Sequence, residues 1–311
     1  LNAIFRFPFL TRIMTSVSIA FLNTLFRLAT VMVLLPLIGL MEKLVVFLFP
    51  DNGAQAEDQD MDRLEERFLQ HPALSIEQSR LVTNSMAERA AGNLLDAMAL
   101  RTDFSEKGFH AISETESLID RYEDKLGTYL MKITSRSLSS AQSEEVSKFL
   151  HTISDFERIS DHALNISETA KEIHDKNMVF SPAALRELEI MESALREILA
   201  ISIAAFVAND IQQAARVEPL EEIIDGLCDE MKLHHVDRLQ KGVCTLNQGF
   251  IFNDLLTNYE RVADHCSNIA VAMIELESDS FDTHEYLNSV KAMKSASFAR
   301  YSAEYQKKYT L

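Results

Sequence analysis

The hydrophobic pattern of this chain changes character along its length. Through residue 50 the text is mostly apolar, with long runs over Ile13–Phe26 and Leu28–Leu40. Arg27 and, later, Glu42-Lys43 interrupt it. Asp51–Asp62 is polar and acidic, shows no apolar period, and reads as a linker. Beyond it apolar positions recur at helical spacing, as in Leu81, Ala87, Ala91, Leu94 and Leu95. The spacing predicts a helix from near Ser75 and a second from about Ser105 to Ile133. A third opens at Ser139-Ser140-Ala141-Gln142, which has capping-box spacing, and fades near Lys176. Phe180-Ser181-Pro182 marks a restart. Ser181 is placed as N-cap, Pro182 at the first helical position, and Phe180 to staple onto Leu185. The helix–break–helix pattern then recurs over about 182–208, 210–240 and 250–276, with a break at Lys241–Gly249. A tail helix is expected from about Thr283 to Tyr309.

The fold class expected is all-α. The expected segments are 1–50 (membrane segment), 51–75 (linker), 76–178 and 179–280 (two tandem three-helix bundles) and 281–311 (carboxy-terminal helix). As a helix Leu28–Phe49 would be roughly 33 Å long, enough for a hydrocarbon core of about 30 Å. A signal peptide ending at Ala54-Gln55-Ala56 and a buried helical hairpin are the rival readings, and the first is disfavoured by length. The chain begins in apolar text at Leu1, which leads to the expectation that it is the end of a larger membrane protein.

Composition sharpens this picture. With 8 Gly and 6 Pro in 311 residues, and 47% hydrophobic positions, helix is favoured and a core is assured. The net charge is −17, yet Arg6, Arg12, Arg27 and Lys43 against Glu42 make residues 1–50 basic. The rest is therefore more acidic than the whole, which excludes nucleic acid as a partner and suits cations. Cys228, Cys244 and Cys266 form no C-x-x-C pair and fit a reducing compartment.

Two stretches 103 positions apart, Thr152–Ile173 and Leu255–Leu276, say nearly the same thing. Each contains Glu-Arg-x-x-Asp-His-x-x-Asn-Ile, so one helical unit is made twice. Within it Glu157, Asp161 and Asn165, or Glu260, Asp264 and Asn268, lie on one helix face at i, i+4 spacing. The preceding helix repeats too, offset by 105: Glu116, Asp120 and Asp124 match Glu221, Asp225 and Asp229. Like charges at this spacing destabilise a helix by about 0.2–0.5 kcal/mol per pair, so four such stripes need a cause. Hard cations held between carboxylates are one. Salt-bridged or solvated faces, with Arg158 and Arg261 reaching Asp161 and Asp264, are the other. His162 and His265 sit off the centre line of the stripe and read as packing or hydrogen-bonding residues. His234-His235 has no counterpart in the first unit and reads as incidental. No histidine has a Glu three residues before it, and no H-E-x-x-H, G-x-S-x-G or phosphate-loop motif occurs. No enzymatic activity is expected.

At these residues the chain resembles PhoU domains, tandem three-helix bundles linked to phosphate homeostasis. The resemblance implies multinuclear metal binding, by iron, manganese or magnesium, through E/D-x-x-x-D motifs. Carried over residue by residue, it points to Glu157, Asp161, Glu260 and Asp264, with Glu116, Asp120, Glu221 and Asp225 on the neighbouring helices. Ala20–Phe26 with Leu34-Leu35-Pro36 is similar to the last membrane segment of bacterial sodium/phosphate cotransporters. Leu64–Gln78 and Phe281–Leu311 look like that family's linker and end. The family's paired Gln-Ser-Ser repeats do not occur in these residues. This second resemblance implies the carboxy-terminal portion of a sodium-dependent phosphate symporter. Na+ and inorganic phosphate would be its cargo, in an inner membrane with the PhoU-like part in the cytoplasm. The alternative expectation is a membrane-anchored PhoU-like regulator without transport of its own. It would act as a homo-oligomer or with a transporter or sensor partner.

Overall fold

The computed structural model describes residues 16–35, 60–277 and 296–311, and every regular element among them is helical. The chain divides into two compact units, Leu1–Asp58 and Gln59–Leu311. In the first, α1 spans Ser16–Leu34. Its large apolar side chains are exposed, among them Phe21, Leu25, Phe26, Val31 and Met32, beside the polar Asn23 and Arg27. Thr24 and Thr30 turn their hydroxyls back onto Ala20 O and Phe26 O, at 3.0 and 2.8 Å, so the helix presents few free polar groups. Among the described residues no helix is long and apolar enough to cross a membrane. Most of the span read from sequence, from residue 36 to Phe49, lies outside the described residues, as does the tail helix before residue 296.

The second unit opens with a 3-10 turn, Glu66–Gln70, and then α2, Pro72–Leu100. Pro72 begins α2 three residues earlier than Ser75, because proline's fixed φ and missing N–H suit a helix's first position. Next come α3, Glu106–Thr134, and α4, Ser140–Asp175. The Ser105 hydroxyl caps α3 by accepting from Gly108 N, and Ser139 with Gln142 closes a reciprocal capping box on α4. α5, Pro182–Ala208, starts at Ser181 as the sequence pattern predicts. It ends on Asn209, whose φ of 52° is the left-handed cap that asparagine tolerates.

The next stretch is not one helix. A single turn, α6 (Ile211–Ala214), is followed by a break and then α7, Val217–Gln240. Pro219 has no N–H for the carbonyl of Ala215, and its ring clashes there, so a helix through this point is interrupted. α8, Leu246–Glu277, begins four residues before the predicted start. Thr245 and Gln248 form a second reciprocal cap, Thr245 N donating to Gln248 Oε1 at 2.7 Å and Gln248 N to Thr245 Oγ1 at 3.3 Å. α9, Ala296–Lys308, packs on α7, and Lys308 bonds Glu197 of α5 at 2.7 Å.

α2, α3 and α4 pack together as one three-helix layer, and α5, α7 and α8 as another. The layers meet chiefly through α4 on α8 and α2 on α5. Phe156 and Phe206, both fully buried or nearly so, meet edge-on across that junction with ring centroids 4.9 Å apart. Asn93 donates to Ser160 Oγ at 2.9 Å, which satisfies two buried polar groups between α2 and α4.

Candidate metal centre

The outer grooves of the α3–α4 and α7–α8 pairs hold the carboxylate stripes. In the second repeat Glu221 and Asp225 of α7 and Asp264 of α8 gather: one carboxylate oxygen from each lies within 4.8 Å of the others. That is a donor set of three hard oxygens from two rigid helices, with the chemistry magnesium, manganese or iron accepts. Glu260 does not join them. Its Oε2 takes a hydrogen bond from Lys232 Nζ at 2.8 Å. Asp264 also receives Arg261 Nη1 at 3.2 Å, on an exposed arginine that a stronger ligand can displace.

In the first repeat the matching groups face one another more loosely. Burial raises the Glu116 carboxyl above its usual range, and Asp161 and Asp120 add to this. Burial likewise raises Glu157, with Glu123, Asp161 and Asp120 pushing the same way against the pull of Arg158. Carboxyls that hinder each other's ionisation in the free protein are groups a cation would relieve. Asp161 is met by Arg158 at 3.5 Å, the counterpart of the Arg261 contact.

The motif histidines do something different. His162 Nδ1 lies 2.9 Å from Asn258 Oδ1 on α8, and His265 Nδ1 lies 2.9 Å from Asp155 Oδ1 on α4. Asp155 and Asn258 are themselves 103 positions apart, so the two bonds are exchanged copies of one contact. The rings lie 5.6 Å apart where α4 crosses α8. Burial pushes the His162 imidazole below its usual range, with the Asn258 bond opposing and His265 assisting. Asn268 adds a second donor to Asp155 Oδ1 at 3.2 Å. These side chains hold the repeats together, as their off-stripe position implies.

His234-His235 is not incidental. His234 Nδ1 lies 2.9 Å from Glu187 Oε1, and Arg238 Nη1 bonds the same carboxylate at 2.8 Å. His235 stacks on Phe252 with centroids 5.4 Å apart. The pair ties α7 to α5 and α8, a link that no local spacing announces.

A family model described as PhoU domain matches residues 83–170 and again 188–273, one match per three-helix layer. The chain belongs to the PhoU domain family. Its curated relatives include the phosphate-specific transport system accessory protein PhoU homolog 1 of Thermotoga maritima. That protein is 23% identical over 201 residues, covering 64% of this chain and 85% of the relative. The corresponding PhoU homolog of Borreliella burgdorferi is 27% identical over 168 residues, 51% of this chain and 72% of that one. Among solved structures, PhoU from Pseudomonas aeruginosa superposes with a TM-score of 0.61 at 20% identity, over 66% of this chain and 97% of that chain. The phosphate transport system regulatory protein PhoU from Streptococcus pneumoniae gives the same TM-score at 16% identity, over 68% and 99%. At these identities the structural likeness speaks for the fold.

Both PhoU repeats are therefore present and carry the stripes on matching helices. The structure brings Glu221, Asp225 and Asp264 together, sets Glu260 aside with Lys232, and leaves Glu116, Asp120, Glu157 and Asp161 coupled through space. Sequence reasoning passed over Glu123 and Lys232. Laying α3 against α7 at the offset of 105 would have found both, because there the repeats differ in charge.

Proposed function

We propose that this chain is a PhoU-type regulator of phosphate transport that binds hard cations in its carboxylate grooves and catalyses no reaction. The observation that carries this reading is the pairing of two PhoU repeats with a three-carboxylate cluster on the second. Glu221, Asp225 and Asp264 would hold a metal in the second repeat, and Glu116, Asp120, Glu157 and Asp161 in the first. A bound ion there neutralises mutual carboxylate repulsion and fixes the helix pair, giving the outer surface two states a partner can distinguish. The partners would be a phosphate transporter or sensor, or a second copy, with the PhoU repeats in the cytoplasm.

A second reading has its own observation. The exposed apolar surface of α1 favours attachment to a membrane protein or a bilayer. It is consistent with this chain being the regulatory end of a sodium/phosphate symporter. One experiment addresses both. The chain is expressed in a bacterium lacking its own PhoU-type regulator, and radiolabelled phosphate uptake is followed with and without Na+. Restored restraint of uptake at high phosphate supports the regulator. Uptake that becomes Na+-dependent on expression supports the symporter. Uptake unchanged in every condition overturns both.

A further inference from the structure

A cleft opens between the repeats where α2 and the start of α4 meet α6 and the ends of α5 and α8. Its volume is about 490 Å3, within the range of small-molecule sites, about 300–1,000 Å3. The apolar lining comes from both repeats: Phe149 of α4, Phe206 of α5, Ile211 of α6, and Met273 and Leu276 of α8. Phe149, Phe206 and Met273 are almost wholly buried, so the floor of the cleft is core. The two rings meet edge-on with centroids 6.4 Å apart. None of the lining residues belongs to the carboxylate stripes.

Lys148 supplies the polar end. Its Nζ lies 5.4 Å from the ring centroids of both Phe149 and Phe206. It donates to Asn209 Oδ1 at 2.7 Å, an amide and not a carboxylate. An ammonium has three donors, and this bond uses one of them. Burial pulls the Lys148 ammonium below its usual range, with Glu145 opposing and Arg80 assisting. The other charged groups of the lining are Arg80, Glu144 and Glu145. Arg80 is held by Glu145 at 2.6 Å and by Glu77 on its own helix. Glu144 accepts from the Ser140 hydroxyl at 2.8 Å. Lys148 is thus the cation of the lining that has no carboxylate bonded to it. At the far end of α2, by contrast, Arg101 meets Glu192 of the other repeat at 2.6 Å. One incoming negative charge would complete Lys148 in the same way. Glu144 and Glu145 on the same helix disfavour a second.

We propose that this cleft binds a small amphipathic monocarboxylate, its carboxylate on Lys148 and its apolar body against Phe149, Phe206 and Met273. Because both repeats line the cleft, such a ligand bridges α2 and α4 to α5 and α8 and stabilises the folded chain. The inference does not depend on metal in the stripes.

The test uses naphthoate as the probe, with neutral naphthamide and cationic naphthylmethylamine as companions of similar size. Binding to the purified full chain is measured by isothermal titration calorimetry, with a circular dichroism melt as a folding control. Naphthoate is expected to bind saturably at one site, more tightly than either companion, and to raise the melting temperature. Lys148→Met is expected to weaken naphthoate about 10-fold or more, the worth of a charge-assisted hydrogen bond, and to leave naphthamide nearly unchanged. Ala208→Trp, at an exposed position of the lining, is expected to abolish binding by filling the cleft while Lys148 stays in place. No saturable binding of naphthoate into the millimolar range overturns the inference, as does equal or tighter binding of the amide or the amine. So does either variant, still folded, binding naphthoate as the parent does, since the probe then sits elsewhere, such as on the apolar surface of α1. None of these outcomes bears on the regulator reading, which stands or falls by the uptake assay.

Discussion

Arg101 closes α2 and reaches across to the other repeat. Its Nε lies 2.6 Å from Glu192 Oε1 on α5, and the Tyr259 hydroxyl of α8 donates to the same oxygen at 2.9 Å. The two charged side chains are only 6% and 10% exposed, and Tyr259 is fully buried. Arg101→Met keeps the apolar stem but strips the carboxylate of its cation in a place water does not reach. Breaking a buried ion pair from one side costs about 3–5 kcal/mol, since the remaining charge is stranded. Arg101→Met/Glu192→Met removes both charges together. An apolar replacement of a buried pair is neutral or stabilising by about 1–4 kcal/mol, offset here by about 1–3 kcal/mol for the orphaned Tyr259 hydroxyl. The double variant is therefore expected within about 3 kcal/mol of the parent, and above the single one. Urea unfolding followed by far-ultraviolet circular dichroism measures all three stabilities. A loss under about 1 kcal/mol for Arg101→Met, the size of an exposed pair, would refute the claim that this bridge is dry. So would a double variant as unstable as the single.

Two further outcomes follow from the junction and the core. Asp155→Ala removes an acceptor used by both His265 and Asn268 and should cost about 1–3 kcal/mol. The mirror change Asn258→Ala takes one bond from His162 and should cost about 0.5–1.5 kcal/mol. Equal losses in urea would contradict the asymmetry. The thiols of Cys228 and Cys266 are each pushed by burial from 9.0 up to about 12, so iodoacetamide at pH 8 should label only Cys244 in the folded chain and all three in urea. The unfolded chain ionises both thiols above its ordinary value while the folded chain keeps them protonated. Stability is accordingly full below pH 9.0 and is lost as pH rises toward about 12, by about 1.4 kcal/mol per thiol at pH 10. Unfolding curves that coincide between pH 8 and pH 10 in a Cys228→Ser/Cys266→Ser comparison with the parent would sink this.

The tandem helices were legible because each start carries local chemistry: Ser105, Ser139 and Ser181 cap through their own hydroxyls, and a cap is a short-range event. Where the sequence reading slipped, the signal was equally local but weaker in context. The Thr245–Gln248 cap lay inside a stretch whose Gly242 and Gly249 read as a break, and Pro219 lay inside a strong helical period. The contacts that no local pattern carries are those between repeats. Glu187 and the His234–Arg238 stretch are some fifty residues apart, and nothing in either segment names the other.

The motif itself shows why a stripe can be read and its neighbours cannot. Asp161 and His162 are adjacent, yet a helix turns about 100° between them. One therefore faces the outer groove and the other faces α8. Spacing at i, i+4 identifies the first face from α4 alone. The second face acquires meaning only when α8 supplies Asn258, and that partner is the repeat's own copy of Asp155. Duplication converts one local contact rule into a crossed pair, so the same short motif builds the groove and fastens the two repeats. A substitution at Asp161 should then change ion uptake with little effect on the junction. One at His162 should loosen the junction while the carboxylates remain in place. Motif positions one residue apart are separable by experiment because they sit on separate faces.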